Sequence, residues 1–382
     1  MCIRDSLKTY SGDTLFILTA VINAMILLPF IFLFSPSSFI NDKFAKTKVI
    51  RICAVFGVVI SVAVLISYLL GAFGVAFALT LILAAQSAIY SPAKYGIIKA
   101  LVGTERLGTA NGIIQALTIV AILASSFLFS FIFENLYIQG ENSEEILKSV
   151  YPIGIFLVVF SALEAFFAYK LPYISETNEQ SGEFELKRYI SLSYLRENLK
   201  EVRSDKNIWL SIAGLSIFWG ISQIIIAAFP AHYKAVFNDD SSLAVQAILA
   251  VSAIGIAFGS YVAGSMSKLH IELGIVPMGA IGIFFSLLFF AFGSSIGVVS
   301  LSSFAFGFFG GIFIVPLNAM IQYFAPQKST GKIMAANNFL QNVSMLLFLA
   351  IGIGLVYFEI STTGLFVFTA LVCLLGSFYC HF

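Results

Sequence analysis

The sequence predicts an all-α polytopic membrane protein, and three observations carry that prediction. Of the 382 residues, 59% are hydrophobic and only 11% are charged, whereas a soluble domain spends about a quarter of its residues on charge. The mean hydropathy is +0.97. Apolar runs of helix-spanning length recur along the whole chain, too many for a water-facing surface to cover. A hydrocarbon core of about 30 Å takes roughly 20 apolar residues as helix, and only a backbone that satisfies its own hydrogen bonds crosses it.

Taken in order, the runs lie at 14–34, 52–70, 72–91, 111–133, 150–171, 208–230, 242–264, 274–292, 295–323, 338–358 and 361–380, which makes eleven. The shortest connections are the turns near Gly71 and Gly293. The one long polar stretch, 172–207, divides the chain into a bundle at 1–171 with five helices, a linker, and a bundle at 208–382 with six. The second half of that linker has the composition of a short surface helix.

Orientation follows from the basic residues, which favour the cytoplasmic side. Assigning alternate loops to one face, beginning with 35–51, collects seventeen of the 21 Lys and Arg there. That face is read as cytoplasmic, with the C-terminus inside. Five helices followed by six are expected to be a two-by-six architecture without its first helix, and the opening "MCIRDS" reads as the start of a truncated chain.

Composition also excludes other classes. The balance of 21 basic and 20 acidic residues gives no footprint for nucleic acid. The four cysteines (Cys2, Cys53, Cys373, Cys380) and three histidines have no metal-ligand or redox spacing. No acyltransferase His/Asp pair, serine–lysine dyad or metal cluster falls within the spans, so no enzyme is expected and no cofactor.

Two polar hinges interrupt the oil. The first is "SAIYSPAKYGIIKALVGTERLGTANGIIQ" (87–115) and the second "FIVPLNAMIQYFAPQKSTGKIMAANNFLQ" (313–341). Each leaves a helix through a proline (Pro92, Pro316), crosses a short basic loop, and re-enters with Ala-Asn and a Gln four residues after the Asn. A match at equivalent places in two bundles points to internal duplication with both halves in one orientation. The loop at 35–51 contains "SFINDKFAKTKVIR", an acidic residue embedded among cations.

These strings resemble the major facilitator superfamily, and within it the bacterial lysophospholipid transporter family. Ser38 stands where the signature between the second and third helices usually has Gly, Asp42 is present, Lys43, Lys46 and Lys48 supply the cations, and Ala45 replaces a second Gly. "YSPAKYG" is the most specific element, and the resemblance runs from about residue 14 to the end. It implies a major facilitator fold of two parallel-repeat six-helix bundles, here with eleven visible helices. It implies alternating access, with Asp42 capping a neighbouring helix and Lys43 and Lys46 latching the bundles at the cytoplasmic gate. It also implies transfer of lysophosphatidylethanolamine-type lipids across the bacterial inner membrane for reacylation, with an acyltransferase or acyl-ACP synthetase as fused domain or partner. The polar Asn-Asp element of the family's first helix has no counterpart here, so its contacts are unassigned.

A carrier cavity needs polar side chains along single helix faces. Asn111, Gln115 and Thr118 form such a stripe after the first hinge, and Asn338, Gln341, Asn342 and Met345 after the second. Gly311, Asn318 and Gln322 line one face before the second hinge, Gln86 and Tyr90 before the first, and Ser216, Trp219, Gly220 and Gln223 after the linker; Asn23 is the polar break in the first span. The substrate-cavity set is therefore Gln86, Lys94, Gln115, Gln223, Asn318, Gln322, Asn338 and Gln341. Lys94 suits a lipid phosphate, and it equally suits a snorkelling interfacial lysine. For the amides, the competing role is an interhelical hydrogen bond of about 1 kcal/mol. Asn111 and Asn337 also suit helix N-caps. Glu164, the one acidic residue well inside a span, is expected to be structural. A carrier of small soluble solutes and a linker that recruits a cytosolic acyltransferase remain the other readings.

Overall fold

The computed structural model describes residues 12–136, 143–174, 184–239, 241–268 and 270–379, almost all of them helical. The first half contains α1 (Gly12–Phe32), α2 (Phe34–Lys43), α3 (Lys46–Leu69), α4 (Phe73–Gly96), α5 (Ile98–Val102), α6 (Leu107–Leu136), α7 (Ser143–Ser149) and α8 (Tyr151–Lys170). The linker carries α9 (Leu186–Ile190) and α10 (Ser193–Ser204). The second half contains α11 (Lys206–Phe237), α12 (Ser242–Met266), α13 (Ile275–Phe292), α14 (Ile296–Phe324), α15 (Thr330–Tyr357) and α16 (Thr362–Tyr379).

Among the described residues, nine helices are long and apolar enough to cross a membrane. The pair α1–α2, bent by 49°, makes a tenth, and the shorter apolar helix Thr362–Gly376 follows the last long span. Every expected run therefore has a helix, but three boundaries move. The stretch 35–51 is helical apart from residues 44 and 45, so Asp42 and Lys43 sit on α2. Pro92 lies inside α4, and Pro316 lies inside α14. The helices after the hinges start at Leu107 and Thr330, which puts Asn111 and Asn337 inside them and removes both from the cap positions. Hydropathy marks the part of a helix that lies in hydrocarbon, whereas backbone hydrogen bonding continues through the polar ends. Proline is tolerated there because neighbouring helices re-satisfy the freed groups.

Local signals fix several ends. Asp205 caps α11 by accepting from the backbone N–H of Asn207 (2.8 Å) and Ile208 (3.1 Å). Ser241 does the same for α12 through Ala244. Gly71, at φ 68°, closes α3 with the left-handed residue such an end favours.

Within the first half, α3 packs on α4 and α8, and the Ser61 and Ser161 hydroxyls meet at 2.7 Å. Within the second half, α12 and α14 form the tightest pair, and α11 runs through the middle with 72% of its apolar stretch buried. Helices α4, α6 and α8 are only 11%, 6% and 11% buried over theirs. Counted this way, the first half has five described spans, α1–α2, α3, α4, α6 and α8, and the second half has five, with the shorter α16 after them. The halves meet along α6 and α12, where a Cβ on Gly112 would stand 2.6 Å from the Gly264 Cα, so the backbones touch as small residues allow in membranes. They also meet where α15 lies on α1 and α2, with Phe34 against Phe339 at 4.7 Å between ring centroids.

The linker is docked on the same end. Asn198 of α10 donates to the Ser38 hydroxyl at 3.1 Å, Glu201 lies 3.8 Å from Lys332, and the Tyr189 hydroxyl of α9 donates to the Phe32 carbonyl at 2.8 Å. Residues 1–11, including Cys2, and residue 380 lie outside the described residues, as does the side chain of Asn23. Cys53 and Cys373 are buried free thiols.

Candidate functional site

Asp42 reaches across the halves. At 5% exposure it is buried, and its Oδ1 accepts the backbone N–H of Lys332 at 3.1 Å in the first turn of α15. The first N–H groups of a helix lack internal partners and carry the positive end of its dipole, so an anion there satisfies both. Gly331 makes the approach possible, since a Cβ at that position would lie 2.5 Å from the Asp42 Oδ1. The Lys332 and Lys46 ammonium groups both act on this carboxylate. Lys46 is almost wholly buried, its stem packed where a Cβ on Gly96 would touch its Cε at 3.1 Å. The Lys43 ammonium lies 5.2 Å from the centre of the Phe39 ring. Of the three residues that the sequence placed together, Asp42 and Lys46 are buried and Lys43 is half-buried.

Lys99 completes the other side of the second hinge. Its Nζ donates to the carbonyls of Tyr323 (2.8 Å) and Ala325 (3.1 Å), at the C-terminal end of α14 where a cation complements the dipole. Nothing in the sequence singles out Lys99 from the other hinge lysines, because its partners are backbone atoms 224 and 226 residues away. The Thr109 hydroxyl contacts the carbonyls of Gly264 and Ser267, each at 3.0 Å, and adds a third tie.

Two of the expected amides meet across the halves further in. Asn111 and Gln322 exchange hydrogen bonds, Nδ2 to Oε1 and Nε2 to Oδ1, both 2.9 Å. Asn338 donates to the Ser91 hydroxyl at 2.9 Å. These cross-half bonds gather at the end of the bundle that carries the two hinges, so the halves are closed together on that side.

The remaining candidates do not converge with these. Gln341 donates to the Asn337 side chain at 2.7 Å, and Asn318 donates to the Ile314 carbonyl of its own helix at 3.0 Å. Gln223 has its nitrogen 3.7 Å from the Met345 sulfur, and its buried oxygen has no partner among the described residues. Gln115 is buried on α6. Gln86 donates to the Cys53 carbonyl at 2.9 Å and faces the bilayer side of α3 and α4.

Lys94 is half-buried in the last turn of α4, with its Nζ 3.4 Å from the Thr118 hydroxyl and 5.4 Å from the centre of the Tyr95 ring. Glu164 lies within electrostatic range of both Lys94 and Tyr90. Three helices thus supply a small polar cluster of Tyr90, Lys94, Thr118 and Glu164. The sequence offered Tyr90 with Gln86, Thr118 with Asn111 and Gln115, and Lys94 as a cation for a lipid phosphate, and read Glu164 as structural or snorkelling. Among the described residues there is no group of three metal-ligating side chains.

Comparison with known proteins agrees with this architecture. Residues 10–349 match the family model described as Major Facilitator Superfamily. Similar curated proteins include the lysophospholipid transporter LplT of Photorhabdus laumondii, 30% identical over 268 residues that cover 69% of this chain and 63% of that one. The LplT of Yersinia enterocolitica is 28% identical over 69% of this chain and 62% of its own length. That of Yersinia pestis is 27% identical over 82% and 71%. The matched part therefore spans under two thirds of the length of the first two relatives. Among solved structures, the human organic anion transporter MFSD10 superposes with a TM-score of 0.72 at 14% identity, covering 96% of this chain and 83% of that one. The transporter FucP in its outward conformation superposes at 0.70 and 12%, covering 97% and 96%. At these identities the structural likeness speaks for the fold alone.

Proposed function

Because this chain belongs to the major facilitator superfamily, we propose that it is a lysophospholipid carrier of the bacterial inner membrane, working by alternating access with its C-terminus in the cytoplasm. Support for the substrate comes from the 27–30% identity to proteins named lysophospholipid transporters. The observation that carries the headgroup assignment is Lys94, a half-buried cation beside Thr118 and within range of Glu164. A phosphate of the transported lipid takes a charge-assisted hydrogen bond from its ammonium. The chain makes and breaks no covalent bond in this reading. Binding energy at the cluster is exchanged for the cross-half contacts of the cytoplasmic gate, as differential affinity for two states requires.

In the resulting cycle the closed gate holds Asp42 on α15 and Lys99 on α14. Opening it releases the lipid to the cytoplasmic leaflet, where an acyltransferase partner restores the second chain. The test is transfer of labelled lysophosphatidylethanolamine in proteoliposomes. Transfer above protein-free vesicles supports the assignment; transport of soluble solutes without any lipid transfer overturns it.

A further inference from the structure

The two halves carry equivalent clefts on their bilayer faces. One lies between α13 and α14, holds about 670 Å³, and is lined by Met278, Phe285, Phe289, Leu301 and similar residues with no charged group. The other lies between α3 and α4, the corresponding pair before the first hinge, and is closed on one side by α2. It holds about 430 Å³ and is apolar along Ile40, Val49, Ile52, Phe56, Ile82 and Ile89. It differs in having a lysine, Lys48, at its cytoplasmic mouth.

We propose that the α3–α4 cleft is a binding site for an anionic glycerophospholipid of the cytoplasmic leaflet, with one acyl chain in the cleft and the phosphate on Lys48. Four features support it. First, Lys48 is exposed and its ammonium rests 5.6 Å from the centre of the Phe44 ring, with no carboxylate paired to it among the described ion pairs. A basic residue at this level attracts anionic headgroups. Second, the cleft runs from Lys48 to Phe56 along α3, about 12 Å of helix. Third, the walls are fixed. Ser37 donates to the Ala88 carbonyl (2.8 Å), Asn41 to the Ile89 carbonyl (3.0 Å) and Gln86 to the Cys53 carbonyl (2.9 Å), which tie α2, α3 and α4 together. Fourth, the volume falls within the range of small-molecule sites. The cleft borders the Lys94 cluster, since Cys53 on its wall lies within electrostatic range of Tyr90 and Glu164, but the cation at its mouth is Lys48 and not Lys94.

The experiment uses the full chain taken from vesicles of phosphatidylglycerol and phosphatidylethanolamine in equal parts, with bound lipid read by native mass spectrometry. A photo-crosslinking residue at Phe56 reports the cleft, and one at Phe285 reports its charge-free counterpart. The expected result is preferential retention of phosphatidylglycerol, lowered about fivefold by Lys48→Gln and kept by Lys48→Arg. Crosslinking at Phe56 falls with it, and crosslinking at Phe285 does not. Equal retention in Lys48→Gln, or headgroup-independent crosslinking that is the same at Phe56 and Phe285, overturns the proposal and leaves only the bulk lipid that surrounds any membrane helix. Lys48→Arg also serves as the folding control.

Discussion

Asp42 and Lys99 hold opposite ends of one loop. Asp42 accepts from the first turn of α15 at 3.1 Å, and Lys99 donates to the last carbonyls of α14 at 2.8 and 3.1 Å. Both come from the first half, and the loop between those helix ends is the hinge of the second. Each charge has the sign its helix end favours, so this closure is an arrangement of two dipole ends and two side chains. Replacing Asp42 by Ala removes an N-terminal anion and an acceptor worth about 1 kcal/mol or more. A cysteine at the buried Ile98 is expected to label several-fold faster in Asp42→Ala, and faster again in the double variant with Lys99→Ala.

Gly331→Ala tests the same contact without removing a charge. The added methyl would stand 2.5 Å from the Asp42 Oδ1 and 2.8 Å from the Asn41 carbonyl carbon, so the two helices must separate. Overpacking of this kind costs about 1–3 kcal/mol. Spin labels at the C-terminal end of α2 and the N-terminal end of α15 are expected to report a longer distance than in the parent protein.

The Asn111–Gln322 pair is reciprocal and buried, so either Ala substitution leaves one amide unsatisfied. Each single change is expected to cost about 1–3 kcal/mol. The double variant should cost clearly less than the sum, because the stranded partner is then gone. Thermal or denaturant unfolding of the four proteins of the cycle measures this, and additivity would mean that the two amides do not depend on each other.

Lys94→Ala is expected to lower transfer of lysophospholipid roughly tenfold or more, the size of a charge-assisted bond, while Lys94→Arg retains part of it. The proteoliposome assay reads both. Unchanged transfer by Lys94→Ala would assign this lysine to snorkelling at the interface. The Asp42 and Gly331 predictions stand apart from this one, since they read gate opening and not lipid.

Gly112→Val addresses the seam between the halves. The Cβ of any larger residue would fall 2.6 Å from both the Gly264 Cα and the Ser260 carbonyl oxygen. The helices α6 and α12 touch through backbone here, and no side-chain movement relieves the clash. Loss of the folded protein on size-exclusion chromatography is the expected outcome, with Gly112→Ala showing a milder form of it.

The membrane class and the helix order were legible in the sequence, which also offers a division at the linker and two similar hinges. Each depends on a property carried by consecutive residues: hydropathy over a span, charge between spans, and a repeated string. Asp42 was legible for the same reason, because an acidic residue among lysines in "NDKFAKTK" departs from its surroundings. Among the amides, the sequence identified helix faces and left their partners open. Asn111 found Gln322, whereas Gln115 and Gln341, related by the repeat, serve different surroundings. Gln86, on an equally plausible face, points to the bilayer side.

By itself, then, the sequence determined that the chain lies in lipid, how its spans are ordered, and which short strings its two halves share, since these follow from the free energy of placing each segment in hydrocarbon or water. Only the tertiary structure decided that Lys99 grips the end of α14, that Gly331 makes room for Asp42, and that Glu164 joins Tyr90 and Lys94. Those contacts join residues from about 70 to 290 positions apart, and their energies depend on distances of a few ångströms, which packing sets and local pattern does not.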